Sequence, residues 1–472
     1  MISIVVNAQI GIGTTTPDAS SILDISSTSQ GMLAPRMTTV QRTAIVAPAD
    51  GLIVYDIVLK SFYYYVEAPT SSWVPVNSSV NGRTNFKRIK SVADLAPELT
   101  AGGASKYLLD ASTLYEINGT INLNFPIDLN NAYIQGLDSG EDKLISAGDI
   151  FQGSKGGGIK SLTLSSTGGK VFNLSGATSQ NLIFRDCIVS SSKSVGSINN
   201  FGLVFLSIIQ FSGNTTGIEY SNISQLLLSN LGWFGNNAGT FEKLTGTFGL
   251  VQKQGGFSQV NGTAVGFDVS SNPIISGDAV LESVVFTGSI GAVFVKPYSL
   301  NTYTGYNFTN AWTVDSPGIP RESDGVATGD INFSTGVGNV ATTTFTSTGP
   351  TGRKKIFGPT SSNNLFRFKQ DGDNKIIYTG TKTRYFQVAG SVSYQGTGDF
   401  TLILYIARNG AVITETKVYG KGATGYFTNA GILALPIIGT VELKKSDYIE
   451  IWAERYAGSG NMETVSLNLI AR

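Results

Sequence analysis

Between residues 120 and 250 the chain repeats one pattern: a short run of alternating apolar and polar residues, then a turn. Ser161-Leu-Thr-Leu, Asn181-Leu-Ile-Phe, Gly202-Leu-Val-Phe, Gln225-Leu-Leu-Leu and Thr247-Phe-Gly-Leu each carry the run. Their apolar positions Leu162, Leu182, Leu203, Leu226 and Phe248 step by 20, 21, 23 and 22 residues. Turns such as Ser166-Thr-Gly-Gly169 and Gly213-Asn-Thr-Thr216 stand between them, and Ile121/Leu123, Ile127/Leu129 and Ile134 extend the pattern upstream. A period of this size built from single strands predicts a solenoid in which each rung stacks its inward side chains on the next. We expect a right-handed parallel β-helix over residues 101–335; the alternative reading is an irregular β-sandwich.

Further on, the strands lengthen and alternate strictly. Phe400, Leu402, Leu404 and Ile406 share one face, and Thr401, Ile403 and Tyr405 the other. Arg408-Asn409-Gly410 predicts a hairpin turn, because Asn-Gly accepts the positive φ angles of a type I′ turn. Residues 412–419 are expected to return, with later strands at Leu443–Trp452 and Thr464–Ile470. Helical signals are scarce: one short helix is expected near Ser91–Leu99, with Ser91 as cap and Asp94 completing an imperfect capping box. The pattern divides the chain into residues 1–80, a linker and short helix over 81–100, the β-helix, and a C-terminal domain over 336–472.

Composition agrees with an all-β chain. Charged residues are 14% of 472, against about 25% in ordinary globular proteins. The 56 Gly and 14 Pro supply turns throughout. Lys+Arg and Asp+Glu balance at 33 each, which leaves no basic field for nucleic acid or anionic lipid. No apolar run approaches the length of a membrane span. The start, Met1-Ile-Ser-Ile-Val-Val-Asn-Ala-Gln, has an apolar stretch shorter than a signal core requires, and reads as a remnant or a packed first strand.

Candidate chemistry is thin. With no His in the chain, Ser-His-Asp, Cys-His and ordinary zinc sites are excluded. Cys187 is the single cysteine and sits in an apolar run, where it reads as a small buried hydrophobe. A glycan-cleaving β-helix needs paired carboxylates. The candidates are Asp138/Glu141/Asp142, which read first as a turn, and the pair Asp186 and Glu219, one or two rungs apart. Gly11/Gly13 and Gly156–Gly158 lack the strand–helix context of a phosphate loop and read as turns, and Asp371-Gly-Asp373 is too sparse for a calcium loop. No cofactor and no metal site is expected.

Three resemblances add to this reading. Gly11, Ile12, Gly13, Thr14, Pro17, Leu23, Asp24, Gly31, Pro35, Arg36, Met37, Thr38, Gln41, Arg42, Pro48, Gly51, Tyr55 and Asp56, followed by Trp73, resemble a module of Bacteroidota surface proteins and of fibres of the phages that infect them. Ala34 stands where that module commonly has a second Pro. Val92-Ala-Asp-Leu95 is similar to a step that precedes the β-helix of phage tailspikes. Leu443, Ser446, Asp447, Tyr448, Ile449, Glu450 and Ile451 resemble the penultimate strand of C1q/tumour-necrosis-factor-like jelly rolls, which form trimers around aromatic faces.

Together the resemblances imply a homotrimeric virion fibre, on the head or the tail, of a crAss-like or related phage of Bacteroidota. Arg36, Met37, Gln41 and Arg42 would make docking or trimer contacts, and Tyr405, Tyr419, Tyr426, Tyr448 and Trp452 a trimer or receptor tip. The implied partners are further copies of the chain, phage head or tail proteins, and a host-surface glycan or outer-membrane protein. A capsule-degrading tailspike and a secreted adhesin are the alternatives. The absence of His and of a compact acidic cluster disfavours the first, and the short leader and lack of a C-terminal secretion domain disfavour the second.

Overall fold

The computed structural model describes residues 9–67, 71–76, 85–336, 339–362, 364–422 and 431–472. The presumed linker Ser78–Gly82, Tyr426 and all but the last residue of the nine-residue N-terminal stretch lie outside them. The chain separates into two units, Met1–Thr84 and Asn85–Arg472.

The smaller unit holds a parallel pair, Ile10–Ile12 with Leu23–Ile25, and a four-stranded sheet. In that sheet Arg36–Met37 runs parallel to Ile53–Asp56, which pairs antiparallel with Ser61–Val66 and through it with Ser72–Pro75. A five-residue helix, Thr39–Thr43, was not expected. Its signal is the Thr38-x-x-Gln41 capping box: the Gln41 side chain accepts from the Thr38 N–H at 2.9 Å, and Thr38 Oγ1 accepts from the Gln41 N–H at 3.3 Å.

The larger unit opens with the solenoid. Twenty-one strands, from Phe86–Ile89 to Trp312–Asp315, form one continuous parallel system, so the β-helix is present and the sandwich alternative for this region falls. The strand Phe86–Ile89 pairs with Leu114–Ile117, which brings part of the presumed linker into the β-helix. The expected short helix follows as a 3₁₀ turn, Val92–Leu95, and a helix, Ala96–Ala101; Asp94 accepts from the Ser91 N–H at 2.9 Å. Leu95 joins the lumen core and Val92 and Leu99 pack against it, so this turn covers apolar surface at the first rungs.

The inward column differs from the one read off the sequence. It runs Leu182, Val204, Leu226, Val251, Ala279 and Trp312, with steps of 22, 22, 25, 28 and 33 residues. Leu162 stacks one rung below Cys187 instead, and Leu203 and Phe248 stand outside this column. The rungs lengthen towards the C-terminus by adding loop residues, which a fixed period cannot follow. Rungs turn at left-handed corner residues: Asp186, Ile208, Asn230 and Gly255, at φ between 52 and 67°, occupy one corner in successive rungs. Cys187 is buried beside that corner, and burial pushes its thiol up to about 12.

After the β-helix come two antiparallel sheets around a second core. One contains Gly329–Ser334, Met462–Ala471, Arg384–Gly396 and Leu433–Leu443; the other is built on Phe400–Arg408 and Tyr448–Gly458. Leu402, Leu404 and Ile406 meet Val388, Leu467 and Leu469 between them. Asn409 and Gly410, at φ 52 and 78°, make the expected hairpin turn. The return is interrupted: a 3₁₀ turn, Thr414–Thr416, intervenes, with Thr416 Oγ1 donating to the Ile413 carbonyl, so pairing with the Phe400–Arg408 strand resumes only at Val418–Lys421.

Candidate functional site

The four-stranded sheet of the smaller unit has two unequal faces. On one, Asp56 is sealed from solvent and accepts from Arg42 Nε at 3.1 Å and from the N–H groups of Val58 and Leu59. Burial works against ionisation, yet these bonds hold the Asp56 carboxyl down to about 2. The Arg42 guanidinium lies 3.8 Å from the Tyr63 ring centre and 5.6 Å from that of Trp73.

Among the described residues of this unit, none seals the opposite face. Ile53, Tyr55, Phe62, Tyr64 and Val74 share it by register, and Ile53, Phe62 and Tyr64 are 43, 41 and 37% exposed. Elsewhere in the unit Ile22, Leu33, Val40 and Val46 are 76% exposed or more. Among the described residues of this unit, Ala34 and Val54 alone are buried hydrophobics, and neither core cluster of the chain includes any of them. A sheet with so much apolar surface and so little core is unfinished as a single copy.

The four expected contact residues therefore divide. Arg36 is exposed on the short edge strand and Met37 half-buried, so both remain available to a partner. Gln41, itself exposed, accepts at the helix cap, and Arg42 is buried against Asp56, Tyr63 and Trp73, so both have partners within the module.

In the C-terminal sheets the expected aromatics fall on one side. Tyr448, Glu450, Trp452 and Glu454 alternate with the core residues Ile449, Ile451 and Ala453, and Tyr405 pairs with Trp452 on the same outer face. Tyr419 pairs with Ile403 there, is half exposed, and meets Tyr456 edge-on at 5.7 Å. Tyr405, also expected at the trimer or receptor tip, is the least exposed of these rings. It is buried within the single chain, its hydroxyl donates to Glu454 at 3.0 Å, and Arg353 binds the same carboxylate at 2.7 Å. Trp452 donates from Nε1 to Glu450 at 2.8 Å, and Lys375 Nζ sits 4.3 Å from the Tyr448 ring centre. Acid and aromatic thus alternate along this strand, with Arg353, Lys355 and Lys375 beside them.

The carboxylate pair does not assemble. Asp186 occupies the corner column with Ile208 and Asn230, its φ of 57° explaining why an acid tolerant of that region stands there. Glu219 lies two rungs on, in a different sheet column between Ser197 and Lys243, where it pairs with Lys243 at 3.1 Å and accepts from Thr245. Asp142 is a structural acid that accepts from the N–H groups of Gly119, Leu137 and Asp138. Among the described residues no cluster of acids or Cys has the arrangement of a metal site. No described helix is long and apolar enough to cross a membrane.

Comparison with known proteins bears on the smaller unit. No curated protein sequence matches the chain. Among solved structures, the enzymatically active domain of bacteriophage CBA120 tailspike protein 4 aligns over 93% of this chain and 77% of that one, at 11% identity and a TM-score of 0.23. A superposition that loose carries no argument about this chain. Residues 11–89 match the family model of a phage tail-like trimerisation region. The segment with the exposed sheet face is thus similar to a phage tail-like trimerisation region, and the chain continues into a β-solenoid.

Proposed function

We propose that the chain is a homotrimeric fibre or spike of a phage particle, attached through its N-terminal module and binding the host cell with its C-terminal sheets. The observation that carries the reading is the unfinished apolar module at residues 11–89, which matches a trimerisation region. The β-helix serves as shaft. The outer face with Tyr419, Tyr448 and Trp452 is the binding surface, on a domain we read as a C1q-like jelly roll. Its rings and paired charges suit a glycan or an outer-membrane protein of a Bacteroidota host. Three weak tips acting together give attachment by avidity.

The mass of the purified chain in solution tests the assembly: three times 49.9 kDa is expected, and a monomer overturns it. Antibody against the chain should decorate intact particles, and the protein should adsorb to host cells. Release of new reducing ends from host capsule would replace this reading with a depolymerase.

A further inference from the structure

One outward column of the β-helix is apolar through seven rungs. Pairing aligns Phe86 with Leu114, Leu114 with Tyr133, Tyr133 with Gly158, Gly158 with Ile183, Ile183 with Phe205, and Phe205 with Leu227. These positions point away from the lumen, since their strand neighbours Tyr115, Ile134, Ile159, Val204 and Leu226 are the buried ones. Tyr133 is 56% and Phe86 38% exposed. Two residues along each strand runs a polar column that includes Arg88, Glu116, Lys160 and Arg185, with Arg88 paired to Glu116 at 2.6 Å. In the next rung Gln252 replaces the apolar series. The Tyr133 ring lies over Gly158, where a side chain would clash with it, and beside it a groove of about 350 Å³ opens between Tyr133, Ile183 and Phe205.

We propose that this column is a seam against a second copy of the chain, so that the trimer contact continues from the N-terminal region along the first seven rungs. The inference rests on the trimer reading. Three observations select this occupant. The trimerisation match ends at residue 89, inside the strand Phe86–Ile89 whose first residue begins the column, so chains joined there bring their columns together from the first rung. The column has no hydrogen-bonding side chain except the Tyr133 hydroxyl, which suits an apolar protein surface and not a sugar. The groove between Tyr133, Ile183 and Phe205 accepts a projecting side chain, and flanks of both charge signs suit a self-complementary rim.

Thiol labelling of the full chain tests the seam. Cys187 is buried, so the wild type should not label in the native state. Tyr133→Cys and Leu227→Cys place thiols in the column, and Gln210→Cys places one at an exposed position in another sheet of the β-helix. In protein running at three chain masses, the column thiols should react with a maleimide at least tenfold more slowly than the thiol at 210. Equal rates at a mass of three chains would overturn the seam and leave the trimer standing. A monomeric wild type would overturn the trimer itself. Two column variants are used so that poor folding of one leaves the other to decide.

Discussion

The guanidinium of Arg367 lies 2.5 Å from the carboxylate of Asp324, and both side chains are buried. Arg367 also donates to the Trp312 carbonyl at 2.5 Å, so one cation ties the C-terminal sheets to the last strand of the β-helix. Asp324 in turn accepts from the N–H groups of Thr381 and Lys382, and Arg384 donates to its backbone carbonyl. Burial opposes ionisation of Asp324, yet the Arg367 bond and these N–H groups hold it below the usual carboxylate range. Removing one partner strands the other. Arg367→Ala should cost about 3–5 kcal/mol in denaturant unfolding, with the first loss in the C-terminal signal. Asp324→Asn keeps several of the bonds and should cost less. A cost below 1 kcal/mol for Arg367→Ala would mean the joint is held elsewhere.

Ile208 offers a gain. It sits at φ 55°, is 55% exposed, and shares its corner with Asp186, Asn230 and Gly255. A β-branched residue is disfavoured in that region by about 1–2 kcal/mol, whereas Asn is tolerated. Ile208→Asn should therefore raise the unfolding midpoint of the β-helix, worth about 1 kcal/mol. A lower midpoint would show that the exposed isoleucine is itself covered in the assembly.

Lys253 and Glu242 lie 2.8 Å apart in the lumen, both fully buried, and burial pushes the Glu242 carboxyl up despite its partner. The Lys253 ammonium also faces the Phe241 ring at 5.0 Å. Glu242→Leu alone leaves a buried cation and should cost about 3–5 kcal/mol, while Glu242→Leu with Lys253→Met should be neutral or stabilising by about 1–4 kcal/mol. A double-mutant cycle read by denaturant unfolding checks this. A double variant as damaged as the single would show that the lumen needs the charges.

How much was legible follows from where the information lies. The β-helix announced itself through Leu182 and Leu226, true members of one inward column, because inward positions must be apolar in every rung. Leu203 was misplaced by one residue from Val204, a shift that in strands exchanges the inner and outer faces, whereas Phe248 is inward but stacks on Ile223 in another column, three residues before Val251. Tyr405 looked like a surface aromatic because alternation places it opposite the core face. Nothing in the pattern reveals that Arg353 and Glu454 close over it. Arg42 resembled a docking residue for the same reason: its partner Asp56 is fourteen residues away, and only the fold brings them together.

The smaller unit should respond to acid in a defined window. Asp56 is held at about 2, far below its unfolded value of about 3.9, so its contribution to stability is fully present above the unfolded value. It is lost as pH falls through about 2. The assembled mass should hold at pH 5 and fall as the pH is lowered from about 4 to 2, and Asp56→Asn should weaken the assembly at neutral pH. An unchanged mass at pH 2 would separate the Arg42–Asp56 pair from the trimer contact.

The shortage of core in the smaller unit sets the order of events as the protein is made. The β-helix and C-terminal sheets each own a buried cluster within one chain, so their folding is unimolecular and independent of dilution. Under the proposed trimer the N-terminal module, with Ala34 and Val54 as the buried hydrophobics among its described residues, completes its interior when chains meet, and that step rises steeply with chain concentration. Under the same proposal, abundant chains complete the N-terminal module, and scarce chains leave it incomplete while the rest of each chain is already folded.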